Sequence, residues 1–408
     1  MAILDKLRLP HVDNFPIMME YNAALLRGIT ININKPIPKI VYILNGIVAT
    51  CYFYVYFFSV LWFVLIRCPN TEGDKTNCFL EFSLAMCSVS PIMMVIYMKL
   101  HANTIMNLVN EFLECDYLVV QNTRFASNVS KILRVIKKRA MIIWTAFIVN
   151  GCVYIMLPYL LPGRHLTEDL YVIYGLEPLL ESPNYEIASA LMIPAIAFDV
   201  ITLAITTIFI IIIIGYIEAQ MLALSEELLN VWTNSKKFLE YLKVNTNSPI
   251  NSISHSNNIR NIFIKNRLRD IIKFHIINIK LKNMFEKGFR IIYLIKFMFI
   301  FSAIVAELLS GLENSNIVLP YTFNQLFLDC FTGQRLMDAS RFFEESLYNC
   351  KWENFDVANQ KTVLMMILNS QKTLTLSAGG ITVVDYPSLM SIIRSTYSVY
   401  TTLQSTVK

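Results

Sequence analysis

The chain has 408 residues, of which 55% are hydrophobic and only 16% are charged. Soluble domains usually carry about a quarter charged residues, so this composition argues against a set of soluble domains. The net charge of +5 requires no nucleic-acid partner, because basic residues beside apolar segments contact lipid headgroups.

Residues 1–38 precede the first long apolar run and mix charged side chains with short apolar patches. They contain no apolar core of the length found in a cleavable signal peptide. We therefore predict a cytoplasmic N-terminal segment, followed by an apolar helix that acts as its own insertion signal.

Seven apolar runs follow, and each is long enough for a helix to cross a hydrocarbon core of roughly 30 Å. In chain order they are Lys39–Ile66, Phe79–Leu100, Ala140–Leu161, Ile187–Gly215, Phe289–Leu309, Tyr321–Phe343 and Ile381–Leu403. Their continuous apolar character favours helices over barrel strands, which alternate in polarity over segments of about ten residues. Two amphipathic helices are also predicted, one that continues the second run to about Val120 and one over Val357–Gln371.

The charges between the runs predict the orientation of the chain in the membrane. The segments between runs two and three and between runs four and five are basic. In contrast, Pro162–Glu186 holds five acidic residues against Arg164 as the one Lys or Arg. By the positive-inside rule the N-terminus is cytoplasmic and the C-terminus lies outside after seven crossings.

The basic segment 216–288 is predicted to extend runs four and five into the cytoplasm. Both of its ends have helical periodicity, whereas the Ser- and Asn-rich stretch 245–258 is of the disordered type. The segment can form either a flexible loop or a helical layer that packs with Val357–Gln371, and the sequence leaves both interpretations possible. Apolar positions between Ile271 and Leu281 favour the packed layer.

No motif of a known enzyme class occurs in the sequence: there is no phosphate-binding loop, HExxH or GxSxG. The five histidines lie in different segments without the spacing of metal ligands. We therefore predict no catalytic residues, no metal site and no cofactor. Asp199 and Glu307 stand inside apolar runs, where acids are costly and are often functional; equally, they can face other helices in a paired or neutral form.

Two further features leave alternatives open. Cys68 and Cys78 flank the polar loop between runs one and two, where an exterior position would allow a disulfide. Pro91 and Pro194 lie inside runs, where proline kinks a helix, either opening space for a ligand or serving packing.

The C-terminal fifth of the chain carries a cluster of motifs. They are Cys330-x-x-Gly333-Gln334, Tyr348-x-Cys350-x-Trp352, Gln371-Lys372 followed by Leu374–Gly379, and the terminal stretch Ser395–Leu403. As a set, these motifs resemble the C-terminal signature of insect odorant receptors. The length, the cytoplasmic N-terminus and the seven runs are similar over the whole chain.

The resemblance implies an all-α, polytopic membrane fold with seven transmembrane helices and a cytoplasmic helical anchor layer, assembling as a tetramer around one pore. It implies an odorant-gated non-selective cation channel subunit in the plasma membrane of olfactory sensory neurons. The expected partners are odorant co-receptor (Orco) subunits, a volatile hydrophobic odorant, the lipid bilayer and permeant cations. The co-receptor has a much longer loop between runs four and five, so this chain resembles an odorant-tuned subunit.

The resemblance also implies two sets of site residues. The odorant pocket is expected in the outer half, among helices two, three, four and six, at Phe82, Met86, Val89, Ile148, Gly151, Tyr154, Ile155, Ile193, Ala197, Tyr321 and Asn324. The last helix is expected to line the pore. Its pore-lining face is expected to consist of residues that recur at intervals of about three or four positions, namely Thr396, Tyr400, Leu403 and Gln404. Ordinary packing between helices is the alternative at each position.

These expectations divide the chain into 1–38, the helices of 39–215 with the pocket, the extension 216–288, helices five and six in 289–344, and the anchor helix and pore helix in 345–408. A G-protein-coupled or gustatory-type chemoreceptor is the alternative function. A G-protein-coupled receptor would place its N-terminus outside, against the charge pattern. A transporter would show inverted repeats, and none is seen.

Overall fold

The computed structural model describes residues 14–33, 36–68, 75–167, 171–245, 253–311, 315 and 318–407. Over these ranges the chain forms ten α-helices and one short hairpin. The helices are α1 Phe15–Gly28, α2 Lys39–Arg67, α3 Lys75–Leu100, α4 Ala102–Tyr117, α5 Arg124–Leu160, α6 Asn184–Asn245, α7 Ile253–Ser310, α8 Val318–Tyr348, α9 Val357–Ser370 and α10 Tyr386–Val407, and the strands are β1 Ser377–Ala378 and β2 Thr382–Val383.

The helices carry the predicted apolar runs. Within the described ranges, α2, α3, α5, α6 and α7 are long and apolar enough to cross a membrane on their own. The sixth and seventh runs lie in α8 and α10, which contain more polar residues. Together these seven helices form the transmembrane bundle, and α3 and α6 continue through Pro91 and Pro194.

Several boundaries differ from the prediction. The helix α7 begins at Ile253, so residues 253–258 of the predicted disordered stretch are helical, and residues 246–252 lie outside the described part. The seventh run was wrong at its start, because α10 begins only at Tyr386. Residues 377–383 instead form a hairpin, which turns through Gly379 and Gly380 at positive φ, where glycine has no steric penalty. The helix α1 was not predicted at all.

Helices α6 and α7 are far longer than a membrane is thick. Since α6 has 62 residues, it is about 90 Å long at 1.5 Å per residue. Its amphipathic second half and the first half of α7 pack with α1, α4 and α9 in one continuous core, in which Ile271 and Leu281 are buried. We call this end of the bundle the anchor end.

A second core lies at the opposite end, which we call the disulfide end. Cys68 at the end of α2 and Cys78 in α3 are bonded there, with their Cα atoms 6.2 Å apart. The core of this end includes Tyr52, Leu80 and Met192, together with Tyr171 from the connection between α5 and α6. The bonded state of the two cysteines answers the question that the sequence left open.

Candidate ligand cavity and pore-lining face

A cavity of about 60 Å³ lies between helices near the disulfide end. Helices α2, α3, α5, α6 and α8 all contribute to its wall. The lining residues are Tyr56, Leu84, Cys87, Ser88, Asn150, Gly151, Tyr154, Ile196, Asp199, Val200, Val318 and Tyr321. Most of this surface is apolar, with a few hydroxyl, amide and carboxyl groups, as is typical of small-molecule sites.

Local sequence explains how the wall is formed. A Cβ atom at Gly151 would lie 2.8 Å from Cγ1 of Val200, so the glycine permits the close approach of α5 and α6. In α2, residues Phe53–Ser59 form a π-helical turn that includes the lining residue Tyr56. Such turns occur frequently at functional sites.

Two buried acids stand at the cavity wall and just behind it. The Tyr321 hydroxyl donates to Oδ2 of Asp199 at 2.9 Å, and the Thr322 hydroxyl donates to Oε1 of Glu307 at 2.6 Å. Asp199 is 6% exposed and Glu307 is fully buried. Over the described residues neither acid has a cationic partner, and Asp199 Oδ1 and Glu307 Oε2 accept no hydrogen bond.

Residues 171–174 of the connection between α5 and α6, which we call the cover, pack on α2 beside the cavity-lining Tyr56. The Tyr171 hydroxyl donates to the carbonyl oxygen of Val55 at 2.6 Å, and the backbone N–H of Tyr174 donates to Ser59 Oγ at 3.3 Å. Tyr171 and Ile173 within this segment are buried. The segment is therefore docked onto α2 as part of the core.

Three of the eleven expected pocket residues meet at the cavity: Gly151, Tyr154 and Tyr321. Phe82, Met86 and Val89 lie on the opposite side of α3, whose cavity face is formed by Leu84, Cys87 and Ser88. The helix α3 thus lines the cavity through a different face from the expected one, because each residue turns the side chain by about 100°.

The other five lie elsewhere. Ile155 and Ile193 line a separate void of about 10 Å³, and Ala197 lines a surface groove beside Gly28 on α1. Ile148 packs, half-buried, against the core of the disulfide end. Asn324 is exposed.

The helix α10 has two contrasting faces. Leu389, Ile392 and Thr396 face the protomer, where α10 contacts α7 and α8. Thr396 is only 2% exposed, so this expected pore residue points to the helix's own protomer. Tyr400 is half-buried, and Leu403 and Gln404 are exposed near the end of the helix.

The open face of α10 is lined with hydroxyl groups. At spacings of four and three it presents five exposed residues: Ser391, Ser395, Ser398, Thr402 and Ser405. Arg394 is exposed beside them. The motif residues of α10 do not predict this stripe. The small polar residues that form it nevertheless recur in the sequence at the spacing of one helix face.

Buried ion pairs lie toward the anchor end and were also missed. Glu218 on α6 is 2% exposed and pairs with Arg139 on α5 at 3.0 Å and with Arg335 on α8 at 2.7 Å. Lys296 on α7 and Asp329 on α8 form a buried pair at 2.7 Å. These contacts join four spanning helices, and the presence of Lys296 and Asp329 inside apolar runs was the signal that would have revealed the second pair.

These features define a class: a polytopic helical membrane protein with a cavity among its spanning helices and one polar helix face left open. A sequence model described as the 7tm Odorant receptor family matches residues 76–397, well over half of the chain. The chain therefore belongs to the odorant receptor family, whose members are receptors and not enzymes.

Relatives in sequence and in structure agree with this assignment. Odorant receptor 22c of Drosophila melanogaster is 27% identical over 154 residues, which is 36% of this chain and 38% of that protein. Odorant receptor 85b of the same species is 25% identical over 146 residues, or 34% and 37% of the two chains. Odorant receptor 30a is 30% identical over 101 residues, or 25% and 24%. Each match thus spans less than two-fifths of the relative's length.

The fold has solved counterparts that extend over nearly the whole chain. The olfactory receptor OR5 from Machilis hrabei, solved in complex with eugenol, has a TM-score of 0.71 at 12% identity and covers 96% of this chain and 99% of that one. Another structure of OR5 gives 0.70 at 12% identity, with 94% and 97% covered. At this level of identity the likeness establishes the fold.

Proposed function

We propose that this chain is an odorant-tuned subunit of an odorant-gated, non-selective cation channel. In this proposal it sits in the plasma membrane of olfactory sensory neurons with a cytoplasmic N-terminus. It assembles as a tetramer with odorant co-receptor (Orco) subunits. The observation that carries the proposal is the open, hydroxyl-lined face of α10.

A lipid environment does not suit that face. Polar and charged groups are costly in hydrocarbon and normally face other helices or water. Ser395, Ser398, Thr402 and Arg394 are exposed on the protomer, whereas the opposite face of α10 already packs on α7 and α8. Four such helices around an axis would give a water-filled path lined by small polar groups, which is what ion conduction requires.

The exposed end of α10 supports a constriction. Tyr400, Leu403 and Gln404 lie beside the C-terminal part of the hydroxyl stripe and are exposed or half-buried on the protomer. An aromatic or apolar ring at this level would close the path by excluding water. Thr396 fits a packing role better than a pore-lining one, because it is buried against its own protomer.

The cavity provides the ligand site in this proposal. Its volume of about 60 Å³ is well below the roughly 300–1,000 Å³ typical of ligand pockets. An odorant therefore has to widen it, and a ligand that binds the wider form better shifts the equilibrium toward that form. Because Tyr321 belongs to α8, and α8 packs against α10, widening has a direct route to the pore helix. The solved relative in complex with eugenol agrees with a small organic ligand.

Two observations support the proposed orientation. Disulfides persist in oxidising, extracellular surroundings, and Cys68 and Cys78 are bonded at the end that this topology places outside. Basic residues of the second half of α6 and the first half of α7, among them Lys236, Lys243 and Arg267, lie at the anchor end, where anionic headgroups of the cytoplasmic leaflet would attract them.

Cysteine modification of α10 tests the pore. Ser398→Cys, co-expressed with co-receptor subunits, is treated with a positively charged thiol reagent while odorant-evoked current is recorded. We expect the current to fall, because the added cation would stand in the conduction path. Ile43→Cys on the exposed face of α2 and the unsubstituted chain, with its exposed Cys152, serve as controls. Equal insensitivity of Ser398→Cys and both controls would overturn the pore assignment.

A further inference from the structure

Asp199 is an unusual component of a cavity wall in this chain. It is more than nine-tenths buried and lines the cavity, and its Oδ2 accepts the hydrogen bond of Tyr321. Its Oδ1 has no hydrogen-bond partner among the described residues. A buried carboxylate oxygen without a partner is costly, so a ligand that donates to it gains more than an ordinary hydrogen bond.

The surroundings of Asp199 are electronegative. Tyr52 on α2, Cys87 on α3 and Tyr321 on α8 interact with it electrostatically. Tyr56 and Tyr154 line the same cavity, Glu307 on α7 interacts with Cys87, and none of these titratable groups carries a positive charge. Among the residues that the structure describes, no lysine, arginine or histidine lines the cavity. The acids of the anchor end differ, since Glu218 has its cations inside the protein. Among the described residues no cation reaches Asp199, so a positive charge beside it would have to be brought by a ligand.

We propose that this cavity takes a small primary amine, which binds as an ammonium cation and donates a hydrogen bond to Oδ1 of Asp199. This inference rests on the proposed ligand-gated function and names its ligand class. Ammonium groups of aliphatic amines are charged at neutral pH, as the lysine side chain is. Charge-assisted hydrogen bonds of this kind are about twice as strong as neutral ones.

The rest of the cavity suits such a ligand. Its volume of about 60 Å³ favours a compact molecule with a short alkyl chain. Leu84, Ile196 and Val200 provide apolar surface for that chain beside the carboxylate. Asn150 lines the same cavity and is exposed on α5, which marks a route from the surface.

The test uses the full chain co-expressed with co-receptor subunits and a series of linear primary amines from ethylamine to hexylamine. Each amine is paired with the alcohol of the same chain length, which has nearly the same shape and no charge. In the wild type we expect at least one amine to activate at a concentration about 10-fold or more below that of its alcohol.

Asp199→Asn keeps the shape of the side chain and an acceptor for Tyr321 but removes the negative charge. We expect it to raise the half-maximal concentration of the amine by about 10- to 100-fold and that of the alcohol by less than about 3-fold. Glu226→Gln on the same helix, at an exposed position, is the matched control and should change neither. Surface labelling and the alcohol response verify that each variant is assembled.

The possible outcomes distinguish a failure of the amine inference from a failure of the proposed channel function. Alcohol responses without any amine preference in the wild type, or an unchanged amine response in Asp199→Asn, overturn the amine inference and leave the channel function standing. Silence of the wild type to every amine, alcohol and other odorant, with confirmed surface expression, overturns the proposed function and the inference with it. The wild-type comparison remains decisive even if Asp199→Asn fails to reach the surface.

Discussion

Buried acidic side chains have different partners at the two ends of the bundle. Toward the anchor end, Glu218 lies between two arginines, and Asp329 pairs with Lys296. At the disulfide end, Asp199 and Glu307 are equally buried but accept only hydroxyl hydrogen bonds, and no cationic partner is found for them among the described residues. Paired charges fix the relative positions of helices, whereas an acid left open beside a cavity is available to something that enters. Over the described residues, ion pairs thus join the helices toward the anchor end, whereas the disulfide end keeps acids without a cationic partner at a cavity.

The largest expected effect comes from neutralising the paired acid. Glu218→Gln leaves Arg139 and Arg335 without their shared carboxylate, and breaking a buried pair in this way costs about 3–5 kcal/mol. We expect a large fall in the thermal stability of the purified protein and in surface expression. The same substitution at the other end, Glu307→Gln, should cost less than about 1 kcal/mol, because no ion pair is lost. Similar losses for both variants would contradict the contrast between the ends.

Two glycines, Gly333 and Gly151, allow close packing at different places in the bundle, and substitutions at them compare how tightly those places are packed. A Cβ atom at Gly333 on α8 would overlap the backbone carbonyl oxygen of Val384, directly before α10. Since a backbone cannot move aside as a side chain can, Gly333→Ala should cost about 3 kcal/mol and displace the start of α10. Gly151→Ala meets only the side chain of Val200 and should cost about 1 kcal/mol.

The glycine variants are compared by thermal melting and by odorant-evoked current. We expect Gly333→Ala to lose current even when some protein reaches the surface, because the hairpin seats the proposed pore helix. Gly151→Ala should retain the channel and shift only ligand potency. A Gly333→Ala chain with normal gating would show that the position of α10 does not depend on this contact.

The smallest effect concerns the cover. Tyr171→Phe removes the hydroxyl that donates to Val55 and should weaken the docking of residues 171–174 by about 1 kcal/mol. Hydrogen exchange of these amides should speed up several-fold while exchange in α6 is unchanged. Tyr97→Phe is the matched control, because its hydroxyl donates to the Gly288 carbonyl near the anchor end. If both variants loosened residues 171–174 alike, the effect would be global and not a property of the cover.

The sequence predicted the elements better than the contacts between them. Long apolar runs identified the spanning helices, because membrane-crossing segments must be helical and continuously apolar. They did not show that α7 would begin as early as Ile253, since the Ser- and Asn-rich stretch before it has the composition of a loop. The hairpin before α10 was missed because Ile381, Val383 and Val384 look like the start of the apolar run. In the structure, Gly379 and Gly380 adopt positive φ and form the turn of the hairpin, so the helix begins only afterwards.

The site was harder to predict for a geometric reason. On α3, an error of two positions moves a side chain to the opposite side of the helix, and this separates Phe82 from the cavity-lining Leu84. The pairing of Glu218 with Arg335 joins residues 117 positions apart, which a single sequence does not reveal. Tyr321, which the family resemblance implied, lines the cavity, whereas Asn324, implied in the same way from the same end of the helix, is exposed.

The covalent bond between Cys68 and Cys78 has a consequence for ligand size. It joins the ends of α2 and α3, and both helices contribute wall residues such as Tyr56 and Ser88. A cross-link at that point limits how far the two helices can separate, so under the proposed function a ligand would widen the cavity mainly on the side of α5. In the proposed receptor the bond would therefore limit the size of odorants, and we expect a mild reductant applied to intact cells to shift the responses toward bulkier compounds.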